Sequence, residues 1–205
     1  MENYLNLLII DAEWTSWEGS MERNWSLENE YREIVQISAI KIHNLETLHN
    51  TQFFSIYIKP KINSILSDYF INLTGIKQSD IETNSMDLVS GSKLLSEFIQ
   101  NCHCLSWGND IKRINDNLAL NSSKFKIEPS KSSDIRELFR LYGVNTTDYT
   151  SGLIDNYSNE KSIIKPGSNH NALSDCISMV SALSKFERSH GKEVLINYLS
   201  KLKEI

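Results

Sequence analysis

Four apolar residues, Leu7-Leu8-Ile9-Ile10, run without a break into Asp11-Ala12-Glu13, the sharpest switch in the hydrophobic pattern of the chain. A short apolar run predicts a buried strand, although a piece of core helix shares the pattern. Trp14 to Glu30 is polar, carries tryptophans and has no clean period, which predicts a long loop. Ile34 to Ile42 is rich in β-branched residues and predicts a second strand. A turn over Asn44 to Asn50 leads to a third, Gln52 to Ile58, stopped by Pro60. Short connections make these three an antiparallel meander. From Ser64 the spacing becomes helical: Ile65, Leu66, Tyr69 and Phe70 share a stripe closed by Gly75, and a second helix is predicted from Met86 to Gln100. His103 to Trp107 predicts a fourth strand. Ile111, Ile114 and Leu118 place a helix after it, and a short strand near Ser132-Ser133 precedes a helix from Ile135 to Tyr142. A short helix is read near Tyr149 to Tyr157. Ala172, Cys176, Met179, Leu183 and Phe186 then mark a strongly helical stretch, and Val194 to Leu202 a last helix. Strands alternating with helices in the second half imply parallel pairing, so the expected fold is α/β with a mixed five-stranded sheet, three strands antiparallel and two parallel, flanked by helices.

Composition adds little to this picture. At 205 residues, with 40% hydrophobic and 23% charged positions, the chain reads as one soluble globular domain over residues 1–205. No apolar run approaches the roughly 18 residues of a membrane span. Met1-Glu2-Asn3-Tyr4 lacks a basic leader region, so a cytoplasmic location is expected. Cys102, Cys104 and Cys176 are too few for a disulfide framework. Cys102-His103-Cys104 looks like a fragment of a zinc site but has no second ligand pair, and core positions on a strand explain it better. The formal net charge of −5 argues against electrostatic coating of nucleic acid, but not against a nuclease whose acids bind metal. From Lys112 to Arg140 the local balance is positive, which suits either a phosphate backbone or a solvated helix face.

Candidate chemistry starts from Asp11 and Glu13. On a strand they face the same side, and two converging carboxylates repel unless a cation lies between them. The pair is therefore half of a metal site, or an accident of a solvated strand end. Asp110 follows Ser106-Trp107-Gly108-Asn109 at the end of the fourth strand, where open α/β sheets place their sites; a helix N-cap explains an aspartate there equally well. His170 precedes the Ala172 helix, and Asp175 lies one turn inside it, off the apolar stripe. A lone histidine in such a loop is also an ordinary surface residue.

Taken together, Asp11-x-Glu13, then Asp110, then His170-x-Ala172-x-x-Asp175 resemble in order and spacing the DEDDh family of 3′→5′ exonucleases, which includes RNase T, oligoribonuclease and polymerase proofreading domains. The resemblance extends to Leu73-Thr74-Gly75-Ile76, similar to the family's LTGI turn, and to Asp134-Ile135-Arg136-Glu137-Leu138-Phe139, similar to a family helix. Trp107-Gly108, Thr15 and Trp17 are most similar to the exoribonuclease branch. Ala12 and Trp14 depart from the usual family residues, which bears on substrate preference more than on chemistry.

The resemblance implies an RNase H-like fold, catalytic residues Asp11, Glu13, Asp110, Asp175 and His170, and two Mg2+ ions for which Mn2+ can substitute. Asp11, Glu13 and Asp175 are implied to hold one ion, Asp11 to bridge to the second, and Asp110 to act mostly through bound water. Acids suit hard cations, and such a pair activates water and stabilises a leaving oxygen. His170 is the implied general base, since an imidazole exchanges protons near neutrality. Ala12, Trp14, Thr15, Trp17, Trp107 and Asn169 are the implied substrate-binding residues. Trp14, Trp17 and Trp25 can stack on bases or simply pack the loop. Gly167-Ser168-Asn169 either frees the histidine loop or forms a turn before the helix cap.

The expected function is metal-dependent 3′→5′ hydrolysis of single-stranded nucleic acid, RNA favoured over DNA. The alternatives are a phosphodiesterase for very short oligonucleotides or nucleotide signals and, from another class, an inactive nucleic-acid-binding scaffold. Expected partners are RNA or DNA 3′ ends and no membrane, with a homodimer or a targeting protein as further partners.

Overall fold

Strand β1 (Leu7–Trp14) lies inside the sheet because its apolar run can be covered on both faces, and Leu7 to Ile10 are all buried. Each such side chain contributes roughly 1.5–3 kcal/mol on burial. The computed structural model describes residues 6–48, 50–128, 132–164, 166–167 and 170–201. On one side β1 pairs antiparallel with β2 (Ile34–Ile42), which pairs antiparallel with β3 (Gln52–Ile58). On the other side it pairs parallel with β5 (His103–Ser106), which pairs parallel with β6 (Ser132–Asp134). These five strands are the mixed sheet expected from the sequence. A two-residue strand, β4 (Ser85–Met86), extends the edge through Tyr57 and Ile58, giving the order β4-β3-β2-β1-β5-β6.

Alternation along β1 divides the core into two layers. Leu7 and Ile9 join Ile40, Ile42 and the long helix α6 (Ala172–His190), through Met179, Leu183 and Phe186. Leu8, Ile10 and Ala12 point the other way, against α3 (Leu88–Ile99) and α4 (Asp110–Leu120). Odd-numbered residues of β1 thus face α6, and Asp11 and Glu13 inherit that direction.

Helix α6 is buried along most of its length. The sheet covers one side, while α5 (Ile135–Leu141), a 3-10 turn (Ser151–Tyr157) and α7 (Lys192–Lys201) contribute the rest of the layer. Its start is fixed twice: Asn171 caps it, accepting from the N–H groups of Leu173 and Ser174, and Gln36 on β2 accepts from the Ala172 N–H at 3.1 Å. Beneath the first turn the Cys176 thiol sits 3.4 Å from the Ser38 carbonyl and 3.8 Å from that of Ile9.

The helix expected from Ser64 begins only after Ser67, whose hydroxyl caps α1 (Asp68–Thr74), and it ends at Gly75 with φ +75°. Helix α2 (Gln78–Asn84) had no periodic signal, since Ile81 is its one buried residue; the Asp80 carboxylate closes its first turn by accepting from the Lys77 N–H. Helix α3 starts two residues later than expected because Asp87 caps it, leaving Met86 to β4. Gly91 packs so near β3 that a Cβ there would lie 2.5 Å from Ile58 Cδ1. Cys102, His103 and Cys104 are buried at the start of β5, and the His103 ring lies 2.9 Å from the Ser133 hydroxyl. The last predicted helix is present, although Leu202 falls outside the described residues.

Candidate active site

Asp11, Glu13 and Asp175 meet where the end of β1 faces the first turn of α6. Each offers a carboxylate oxygen, and the three lie within 4.8 Å of one another. Residues separated by most of the chain converge because the parity of β1 aims two acids at the helix whose cap sets the height of the third. Glu13 sits just before a register irregularity between β1 and β2, which ends the regular ladder at the site.

Asp110 borders the same cleft from the C-terminal end of β5. It is not the cap of α4: Asn109 takes that role, accepting from the Lys112 N–H at 3.0 Å, and Asp110 opens the helix with its N–H on the Ser106 hydroxyl. Its carboxylate is left out of capping, and Asp110 Oδ2 is buried without a hydrogen-bond partner. Asp175 is half-satisfied: Ser151 donates to Oδ2 at 2.7 Å, while Oδ1 has no partner.

Burial is the largest influence on every one of these acids. It raises Asp11 well above the usual carboxylate range, with Asp110, Glu13 and Asp175 adding repulsion. Glu13 is pushed up to about 8 by burial and then by Asp175 and Asp110. Asp110 rises to about 7, burial outweighing the opposing pull of Arg32 and Arg113. Asp175 is raised by burial, against the Ser151 hydrogen bond and His170. Three buried acids and the half-buried Glu13, all with raised proton affinity and two of them with an orphaned oxygen, form a site short of positive charge. A divalent cation fits it: oxygen donors are present, their spacing suits one ion, and the unpartnered atoms are those a metal would take.

His170 lies at the rim of the cleft, next to the cap of α6, with φ +58°. Such backbone geometry is uncommon for a side-chain-bearing residue and persists where the surroundings hold it.

The cleft measures about 510 Å³, and Trp14, Trp25 and Trp107 supply aromatic walls. Ala12 borders it while packing with Leu8 and Ile10 in the opposite layer. Thr15 is 2% exposed, and its hydroxyl donates to the Tyr31 carbonyl and accepts from the Glu33 N–H, so its side chain ties the loop down. Trp17 is half-buried in a turn of the loop, its N–H on Ser20, and does not reach the cleft wall. Asn169 and Ser168 lie outside the described residues. Sequence reasoning missed Ser151, which carries no motif, and Tyr69 and Tyr149, whose approach to the cleft depends on tertiary packing; Leu73, within the Leu73-Thr74-Gly75-Ile76 turn, also lines it. Arg136, within the Asp134 to Phe139 motif, lines the cleft, held by Asp134 at 2.6 Å.

The sequence profile of the family described as RNase_T: Exonuclease matches residues 8–183. Among solved structures, the nuclease domain of 3′hExo, described as a DEDDh family member bound to rAMP, superimposes with a TM-score of 0.75 at 21% identity, covering 93% of this chain and 96% of that one. Cell-death related nuclease 4 (CRN-4) gives 0.64 at 18% identity, covering 91% and 65%. The E. coli ExoI–ssDNA complex gives 0.67 at 13% identity, covering 97% of this chain and 43% of its own. No curated protein sequence matches. Among the described residues no helix is long and apolar enough to cross a membrane. With its RNase H-like sheet, its converging acids and a profile match over most of its length, the chain belongs to the DEDDh exonuclease family.

Proposed function

We propose that the protein, as one catalytic domain over residues 1–205, removes nucleotides from the 3′ end of single-stranded nucleic acid, RNA in preference to DNA, by divalent-metal-dependent hydrolysis. The observation that carries this reading is the convergence of Asp11, Glu13 and Asp175 within 4.8 Å, with Asp110 and His170 on the same cleft. Asp11, Glu13 and Asp175 would hold one ion; Asp11 would bridge to a second that Asp110 supports. Two magnesium ions, or manganese in their place, would activate the attacking water and stabilise the charge on the leaving oxygen. His170, which lines the same cleft, would take the proton of that water. Trp14, Trp25 and Trp107 offer ring faces to the terminal bases, contacts worth roughly 1–3 kcal/mol each. The rAMP held by the 3′hExo nuclease domain supports the RNA preference, while the ssDNA held by ExoI keeps DNA within the range of this fold. The scarcity of cysteine supports a reducing compartment such as the cytoplasm.

The test is degradation of matched RNA and DNA oligonucleotides, labelled at either end, with magnesium and with Asp11→Asn as the control. Stepwise loss from the 3′ end, faster on RNA, is the expected result. Cleavage confined to di- and trinucleotides would assign the site to short-oligonucleotide hydrolysis, and absence of cleavage with retained binding would overturn the enzymatic reading.

A further inference from the structure

A second cavity, of about 710 Å³, opens beside the acidic cleft and shares Trp14, Trp107, Asp110 and Arg136 with it. Its added charge is basic only on balance: Arg32, Lys112 and Arg113 line it against Asp134 and Glu137, beside the shared Arg136 and Asp110. Three of these four cations are engaged. Lys112 lies 2.8 Å and Arg113 3.8 Å from Asp116, and Arg136 lies 2.6 Å from Asp134.

Arg32 differs from the others. Its guanidinium carbon is 3.7 Å from the centroid of the Trp14 ring and 4.4 Å from that of Trp25, so two indoles clamp it. Its Nε is buried with no hydrogen-bond partner, and among the described residues it has no ion pair. The clamp is itself braced, because the Trp25 indole N–H donates to the Thr15 carbonyl at 2.8 Å. Burial lowers Arg32 to about 10, with Arg113 adding to the effect and Asp110 and Asp116 opposing it, so it stays charged at neutral pH. A half-buried cation whose Nε is sealed from water without a partner is destabilising. Stacking supplies part of the compensation, and it fixes a side chain that would otherwise be mobile.

A planar, immobilised guanidinium on a basic cavity that opens into the catalytic cleft matches an oxyanion with two accessible oxygens, such as a phosphodiester. We propose that Arg32, held between Trp14 and Trp25, binds a backbone phosphate of the strand upstream of the nucleotide being removed. Trp14 lines both cavities, stacking on Arg32 while it packs against the core layer of Leu8 and Ile10, so it joins the two. This assignment rests on the exonuclease reading: the acidic cleft takes the 3′ terminus, and the basic cavity takes the strand that leads to it. It makes the enzyme selective for chains over mononucleotide esters.

Two readouts test it. Anisotropy of a 5′-labelled hexanucleotide in calcium reads binding without turnover. Arg32→Gln is expected to weaken binding about tenfold and to reduce the slope of log K against log salt by about 0.7, with Arg32→Lys recovering part of the affinity. Kinetically, Arg32→Gln is expected to lower the kcat/KM ratio of hexanucleotide over the p-nitrophenyl ester of thymidine 5′-monophosphate about tenfold. An equal loss on both substrates would make Arg32 a brace for the loop, and an unchanged salt slope would show that it meets no phosphate; either result overturns the proposal. If the wild-type protein cleaves neither substrate, the exonuclease reading fails, and the salt slope still decides the role of Arg32.

Discussion

The protein buries carboxylates in two contrasting ways, and Glu33 shows the first. It is 2% exposed, and its oxygens accept from the backbone N–H groups of Lys61, Ile62 and Asn63 at 2.6–3.1 Å, fastening the end of β3 to the start of β2. The cleft acids show the second. Asp110 and Asp175 each keep an oxygen with no partner, and their neighbours are further acids. Depth of burial is similar in the two regions, so burial alone does not distinguish structure from chemistry. What distinguishes them is whether the protein itself completes the hydrogen bonding.

That contrast can be broken or sharpened by measurement. The largest effect is expected from Asp11→Asn, which should lower nuclease activity by at least about 10²–10³-fold while leaving the melting temperature of the metal-free protein unchanged or higher, since a buried acid whose ionised form the site disfavours is gone. A fall in both would place Asp11 with Glu33. His170→Ala should lower kcat about 10²-fold or more and leave oligonucleotide affinity within a few-fold in the anisotropy assay; a matching loss of affinity would make the histidine a loop anchor.

Glu33→Gln should do the reverse of Asp11→Asn. Loss of charge-assisted bonds is expected to cost about 1.5–3 kcal/mol in denaturant unfolding, with turnover per folded molecule little changed. The smallest effect concerns pH. Glu13 and Asp110 hold their protons up to about 8 and about 7 in the folded chain, whereas in the unfolded chain they release them near the ordinary carboxylate values. Between those limits the unfolded state loses protons first, so the stability of chelated protein falls as pH rises from about 4.5 through 8. Melting temperatures should therefore be several degrees lower at pH 8.5 than at pH 6, and a divalent cation should remove most of the difference. A flat profile in chelator would show that these acids are not electrostatically strained.

The placement of the acids and the histidine around one cleft was legible in the sequence because it depends on order and on period: β1 alternation aims Asp11 and Glu13, and helical spacing sets Asp175 one turn in. Asp110 was visible, but its release from capping was not, because either Asn109 or Asp110 could have capped α4 and only the backbone decides. The tryptophans show the same limit. Trp17 carried the family resemblance yet lies in a turn, whereas Trp25 and Arg32 reach each other only through the path of a loop without period. Ser151 and Gln36 act through single hydrogen bonds across the fold, and no pattern in the chain announces such contacts. Helix α2 escaped because one apolar residue cannot define a stripe.

Cys176 follows Asp175 on α6, and its thiol fills the gap between that helix and the carbonyls of β1 and β2. The spacing of the acid cluster is thereby gauged from below, by a core residue that does not line the cleft. A bulkier side chain at that point would lift the helix and draw the late aspartate away from its partners, so the geometry of the cleft is set partly from the apolar interior.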